Sequence, residues 1–169
     1  MKVLQTSRLS LHEFEISDAP FLLEIMNQPD YHRYIGDRGL RTVADAETYI
    51  KEKLITEYKK RGFGFWLMRL KDGMSPVGFA GIIVRDELDE PDVGYAIHED
   101  FAGNGYAEEA SRGILKYVTE FLRFPVICAI TDPDNKASIN VLIKCGFHFE
   151  KQALVFADEA ELNIYNFFF

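Results

Sequence analysis

The run "DVGYAIHEDFAGNGYAEEASRGILKYVTEFLRFPVICAITD", residues 92–132, constrains the fold more than any other part of the chain. It opens as a strand, "DVGYAI", and passes through a loop that holds Gly103 and Gly105. From Tyr106 it continues as an amphipathic helix, with Ala107, Ala110, Ile114, Val118 and Phe121 recurring every three or four residues. It then returns as a short apolar strand, "PVICAITD". A strand, helix and strand joined this way re-enter one sheet in parallel, with a right-handed crossover.

The flanking segments predict antiparallel company for that pair. "RLSLHEF" alternates as a first strand, and "SDAPFLLEIMNQ" and "TVADAETYIKEKLITEYKKRG" carry helical apolar spacing behind cap-type residues. Between them, "QPDYHRYIGDRG" is a polar and aromatic break. "FGFWLMRLKDG" and "PVGFAGIIVRDELDE" are strands, "KASINVLIKCGF" is a short helix, and "FHFEKQALVF" and "ELNIYNFFF" form a closing antiparallel pair. The expected class is α/β (α+β), with a mixed, mostly antiparallel sheet of about six to seven strands and about four helices. No linker, repeat or low-complexity tract interrupts residues 1–169, so a single domain is expected.

Composition narrows the partners. A net charge of −8 argues against general nucleic-acid binding, which a basic face usually carries. No apolar run approaches the roughly 20 residues of a membrane span, and the N-terminal stretch lacks a signal-peptide pattern. A cytoplasmic protein without a membrane partner is expected. Cys128 and Cys145 have neither zinc nor redox-pair spacing, so free thiols and no metal are expected.

The paired glycines have two readings. One is a plain turn with positive φ, and the other is an anion cradle, because bare amides at a helix start attract phosphate. A P-loop is excluded, since no Gly-Lys-Ser or Gly-Lys-Thr occurs. A dinucleotide fingerprint needs a third glycine where Glu108 stands.

The hexapeptide "AGNGYA", Ala102 to Ala107, resembles the Q/R-x-x-G-x-G/A loop of the GNAT N-acetyltransferases, with Ala102 in place of Gln or Arg. The longer run "G-x-G-Y-A-x-E-A" is similar to the branch that acetylates ribosomal-protein N-termini. Thr6, Arg8, Leu9, Leu11 and Asp18 match that branch's opening T-x-R-L-x-L and later Asp. Asn135, Ser138, Val141, Lys144, Gly146 and Phe147 match its N-x-x-S-x-x-V-x-x-K-x-G-F signature. The resemblance implies a parallel central pair splayed apart, and transfer of acetyl from acetyl-CoA to a primary amine without a covalent enzyme intermediate. The amine is expected on a peptide or protein N-terminus, with a small amine as the alternative. A non-catalytic acyl-CoA sensor, or a phosphate-binding regulatory domain, are the competing functions.

The resemblance assigns Ala102, Gly103, Asn104, Gly105, Tyr106 and Ala107 to the coenzyme pyrophosphate, and Ile97 to an oxyanion-binding amide beside the pantetheine. Asn135 caps the following helix or touches the pantetheine, or does both. Where many members place a Tyr that serves the leaving thiolate, this chain has Leu142, so Ser138 one turn earlier is the candidate donor, with helix capping as its bland alternative. Asp92 is the candidate base, although "RDELDEPD" also reads as a solvated charge run. Glu109 reads as structural, and His98 as exposed at the loop entry. Tyr31 and Tyr34 are candidate acceptor contacts or simple loop anchors, and Asp30, Asp37 and the negative chain suit a cationic amine. A monomer or a homodimer is expected.

Overall fold

The computed structural model describes residues 1–157 and 159–169. Eight strands form one sheet: β1 (Lys2–Gln5), β2 (Leu9–His12), β3 (Phe65–Leu70), β4 (Pro76–Ile83), β5 (Asp92–Ile97), β6 (Val126–Thr131), β7 (His148–Ala153) and β8 (Leu162–Phe168). Their spatial order is β1-β2-β3-β4-β5-β6-β8-β7. Only β5 and β6 run parallel; every other neighbouring pair is antiparallel. The mixed sheet and its parallel crossover are as expected.

Helices cover both faces. On one lie α1 (Ala19–Met26), α2 (Pro29–Tyr34) and the rod made of α3 (Val43–Tyr49) and α4 (Ile55–Arg61), which are joined by a π-type turn, Ile50–Leu54. Leu22, Ile25, Ala46 and Ile50 pack there against Leu67, Phe79 and Ala96 of the sheet. On the other face α5 (Tyr106–Tyr117) and α6 (Lys136–Cys145) bury Ala110, Ile114, Leu115 and Leu142 against Leu9, Leu11, Trp66 and Ile127. Burying one large aliphatic side chain contributes about 2 kcal/mol. These two apolar layers therefore grip the central strands from both sides.

Two elements differ from the sequence expectation. β1 is an extra edge strand of 4 residues, and its exposed ends leave no clean alternation to read. The segment read as a break holds α2, a helix of 6 residues with Pro29 at its first turn, where proline's missing N–H costs no hydrogen bond. The sheet thus has eight strands rather than six to seven. Among the described residues no helix is long and apolar enough to cross a membrane.

Candidate active site

The site grows from an asymmetry in β5. Its antiparallel ladder with β4 runs through six registers, from Gly78↔Ile97 to Ile83↔Asp92, and the His98 N–H donates to the Val77 carbonyl at 2.9 Å beyond it. Toward β6 there is one register, Asp92↔Cys128, with the Cys128 N–H donating to the Pro91 carbonyl at 2.9 Å. Beyond it the strands part. Hydrogen-bonding directions alternate along a strand, so with His98 turned to β4 the N–H groups of Tyr95 and Ile97 face the gap. A cleft of about 1080 Å³ opens there.

The glycine loop closes one end of this cleft. Gly103 and Gly105 have φ of 77° and 78°. A Cβ at Gly103 would meet nothing within 4 Å, so backbone conformation, rather than crowding, requires glycine there. Gly105 is the N-cap of α5 and no side chain caps the helix, so the amides of its first turn stay available to a ligand. Ala102, Gly103, Gly105, Tyr106 and Ala107 line the cleft. Asn104 instead braces the loop from within: its Nδ2 donates to the carbonyls of Phe101 at 3.0 Å and Ala102 at 3.3 Å.

Glu109 ties this loop to the N-terminal strands. Its carboxylate accepts from Thr6 Oγ1 at 2.5 Å, the Arg8 N–H at 2.7 Å and Arg8 Nε at 2.6 Å. Burial opposes ionisation, yet the hydrogen bonds from Thr6 and Arg8 outweigh it and hold the carboxyl below its ordinary range. Arg8 Nη1 also donates to the Asn104 carbonyl at 3.0 Å, and the guanidinium lies 4.6 Å from the centre of the Tyr106 ring. The threonine and arginine of the opening motif therefore hold the loop in place.

Strand alternation sends the remaining candidates to opposite sides. Val93, Tyr95 and Ile97 belong to the layer of α5 and α6, whereas Ala96 packs with α1–α4. Asp92, in step with Ala96, shares the α1–α4 side of the strand. It is 1% exposed, and Arg85 Nε donates to its Oδ1 at 3.0 Å. Burial pushes its carboxyl up to about 6, against the pull of Arg85. The surrounding charge run is thus not uniformly solvated, because Arg85 and Asp92 fold inward together.

On the opposite side, Asn135 Oδ1 accepts from the Ser138 N–H at 3.1 Å and so caps α6. The Tyr95 hydroxyl donates to Ser138 Oγ at 3.2 Å. Burial raises the Tyr95 phenol above its usual range, while Ser138 opposes the rise, so the phenol stays protonated near neutral pH. Leu142 is buried in the core. His98, expected to be exposed, is buried: it stacks on Phe21 with ring centres 5.9 Å apart and lies 3.2 Å from a Glu24 carboxylate oxygen. Tyr31 is buried against Phe79 and Tyr34 is half-buried, and both line the cleft with Asp92, Ile97, Asn135 and Ser138. Asp37 is held by Arg41, whose guanidinium keeps the carboxyl well below the usual range.

Residues 8–148 match the family description "Acetyltransferase (GNAT) domain". The chain belongs to the GNAT acetyltransferase family. Among curated relatives, YkkB of Bacillus subtilis (strain 168), an uncharacterised protein, is 31% identical over 151 residues, covering 88% of this chain and 86% of the relative. An acetyltransferase from Agrobacterium tumefaciens str. C58 superposes with a TM-score of 0.82 at 22% identity, covering 99% of this chain and 94% of that one. RimL, a ribosomal L7/L12 alpha-N-protein acetyltransferase solved with coenzyme A, gives 0.77 at 15% identity, covering 99% and 98%. At those identities the solved structures bear on the fold alone.

Within this GNAT chain the loop, Asn135, Ser138, Asp92 and the two tyrosines come together around one cleft. Sequence reasoning missed Arg85 and Tyr95. Arg85 stands in the charge run, where an inward-facing arginine has no local signature. Tyr95 was read only as part of a strand, although "GYAI" places it one residue from the glycine that faces Phe65.

Proposed function

We propose that this GNAT protein uses acetyl-CoA as cosubstrate and moves its acetyl group to a primary amine, with a peptide or protein N-terminus favoured, by direct attack within a ternary complex. The observation that carries the reading is the parting of β5 from β6 beside an uncapped helix start. A cleft of that kind offers strand amides to an acyl chain and helix amides to a pyrophosphate.

In this reading the amides of residues 102–107 and the α5 dipole hold the pyrophosphate. Ala102 removes a side-chain contact that Gln or Arg provides elsewhere, but leaves the backbone donor. The Ile97 N–H faces the gap and stabilises the oxyanion as nitrogen bonds to the thioester carbon. Asp92 takes the proton that the amine loses; a carboxyl poised at about 6 is mostly ionised at neutral pH and still able to accept. A free α-amine titrates near about 8, so part of it is already neutral. As the C–S bond breaks, the Ser138 hydroxyl donates to the departing thiolate. The Tyr95 hydroxyl donates a hydrogen bond to Ser138 Oγ, which leaves the serine O–H free to point at the sulfur. Asn135 sets the start of α6 and so the place of Ser138.

The test is parallel calorimetric titration with acetyl-CoA, coenzyme A and ADP, followed by transfer assays on peptide N-termini and small amines. Acetyl-CoA is expected to bind more tightly than ADP and to be consumed only when an amine is present. Binding without turnover on any amine would identify a sensor, and no binding at all would reduce the two glycines to a turn.

A further inference from the structure

The chain is acidic overall, yet the end of the cleft nearest Asp92 is not. Arg38, in the segment after α2, and Arg85, after β4, both line it beside Tyr31 and Tyr49. The acids that could neutralise them are already engaged. Asp92 is paired with Arg85, Asp37 with Arg41, and Glu57 with Arg61 at 2.7 Å. Asp30 and Glu159 stand exposed, as Arg38 does, so water screens all three, whereas Arg85 and Tyr49 are half-buried and Tyr31 is buried. Among the described residues no carboxylate lies within 4.0 Å of an Arg38 nitrogen.

The two phenols report the same local field. Burial pushes the Tyr31 hydroxyl up to about 12 and raises that of Tyr49, while Arg38 and Arg85 pull both the other way. Both phenols therefore stay protonated and able to donate. A guanidinium is purely a donor. Arg38, Tyr31 and Tyr49 together form a donor-rich wall of the cleft, and Asp92 is the one buried carboxylate among the described residues that line it.

We propose that this wall selects an amine carrying a carboxylate close to its amino group, as an acidic N-terminal residue does. The acceptor's carboxylate meets Arg38 and the phenols of Tyr31 and Tyr49, while its amine faces Asp92. The inference rests on the acetyltransfer reading above. It runs against the chain's net charge, because the groups that touch the acceptor, rather than the total, decide what binds there.

The experiment measures kcat/KM for acetyl transfer to peptides differing only in their first residue (Asp, Glu, Ala, Ser or Lys), and to free aspartate and glycine. Peptides led by Asp or Glu are expected to exceed the Ala peptide by about tenfold, the scale of one hydrogen bond to a charged group. Arg38→Gln is expected to remove that preference while leaving the Ala peptide within about twofold and acetyl-CoA affinity unchanged. Arg38→Glu is expected to reverse it toward the Lys peptide. A free amino acid outrunning its peptide assigns the recognised group to the α-carboxylate, and the reverse assigns it to the side chain. Transfer that favours the Lys peptide, or an acidic preference that survives Arg38→Gln, overturns this inference alone. Transfer to no acceptor at all overturns the acetyltransfer reading with it.

Discussion

The two flanks of β5 are built from the same residues of one strand and behave in opposite ways. Toward β4 the ladder is complete and so tight that Gly78 lies where any side chain would strike backbone: a Cβ there would come 2.2 Å from the Ala96 carbonyl oxygen and 3.1 Å from the Ile97 Cα. Toward β6 a single register holds and the strands then separate. The closed flank makes the open one possible. A strand fastened on one side, and packed above and below by two apolar layers, can leave its other hydrogen-bonding edge unsatisfied by protein without slipping.

Loading a side chain onto the closed flank should have the largest effect. Gly78→Ala forces apart backbone atoms that cannot swing away, and a loss of about 3 kcal/mol or more is expected in urea unfolding. Gly103→Ala on the open flank is the contrast, because its Cβ would project into empty space. Only the positive φ is then penalised, by about 1 kcal/mol. Equal losses at the two positions would mean that the tight β4–β5 approach does not hold the strand in place.

Asp92 sits where the closed and open flanks meet, and its replacement comes next. Asp92→Asn is expected to lower kcat/KM about 100-fold, as loss of a general base does. In the parent protein the rate should fall as pH drops through about 6, because the protonated carboxyl cannot accept the amine's proton. The variant should lack that limb. Stability runs the other way. The folded state binds this proton more tightly than the unfolded chain, where an aspartate titrates near about 4. Its contribution is therefore complete below about 4 and is lost as pH rises toward about 6. Tm followed across that window should decline in the parent and flatten in Asp92→Asn. An unchanged acid limb in the variant would remove Asp92 from the chemistry.

The same division governs what could be read beforehand. The parallel crossover, the glycine loop and the amphipathic α5 depend on local spacing, and the strand–loop–helix–strand run carries them in consecutive residues. The structural reading of Glu109 came from its match to the G-x-G-Y-A-x-E-A run, but its partners Thr6 and Arg8 lie more than 100 residues away and nothing in the opening motif pairs them with it. The inward turn of Arg85 and Asp92 was hidden because a charge run looks the same whether one pair is buried or none is. β1 escaped because its exposed ends leave no alternation to read, and α2 because 6 residues are too few for a helical period to repeat. His98 misled for a related reason: its place at the loop entry argued for water, while its partners Phe21 and Glu24 come from α1 on a distant stretch of chain.

The smallest expected effect tests whether the open flank uses side chains as well as amides. Tyr95 and Ser138 are 43 residues apart and meet only because the crossover brings α6 back over β5. Tyr95→Phe keeps the ring and its packing but removes the hydrogen bond donated to Ser138 Oγ, so the serine hydroxyl can turn back toward backbone or water. A fall in kcat of about tenfold or less is expected, since one oriented hydrogen bond is at stake. KM for acetyl-CoA should hardly move, because no amide of the loop is touched. Ser138→Ala should show the same split, and adding Tyr95→Phe to it should cost nothing further, as for two residues acting through one atom. Additive losses would separate the pair into a packing tyrosine and an independent serine. A shared loss confined to kcat would instead make the phenol a positioning group for the leaving thiolate, the task that Leu142 is unable to perform.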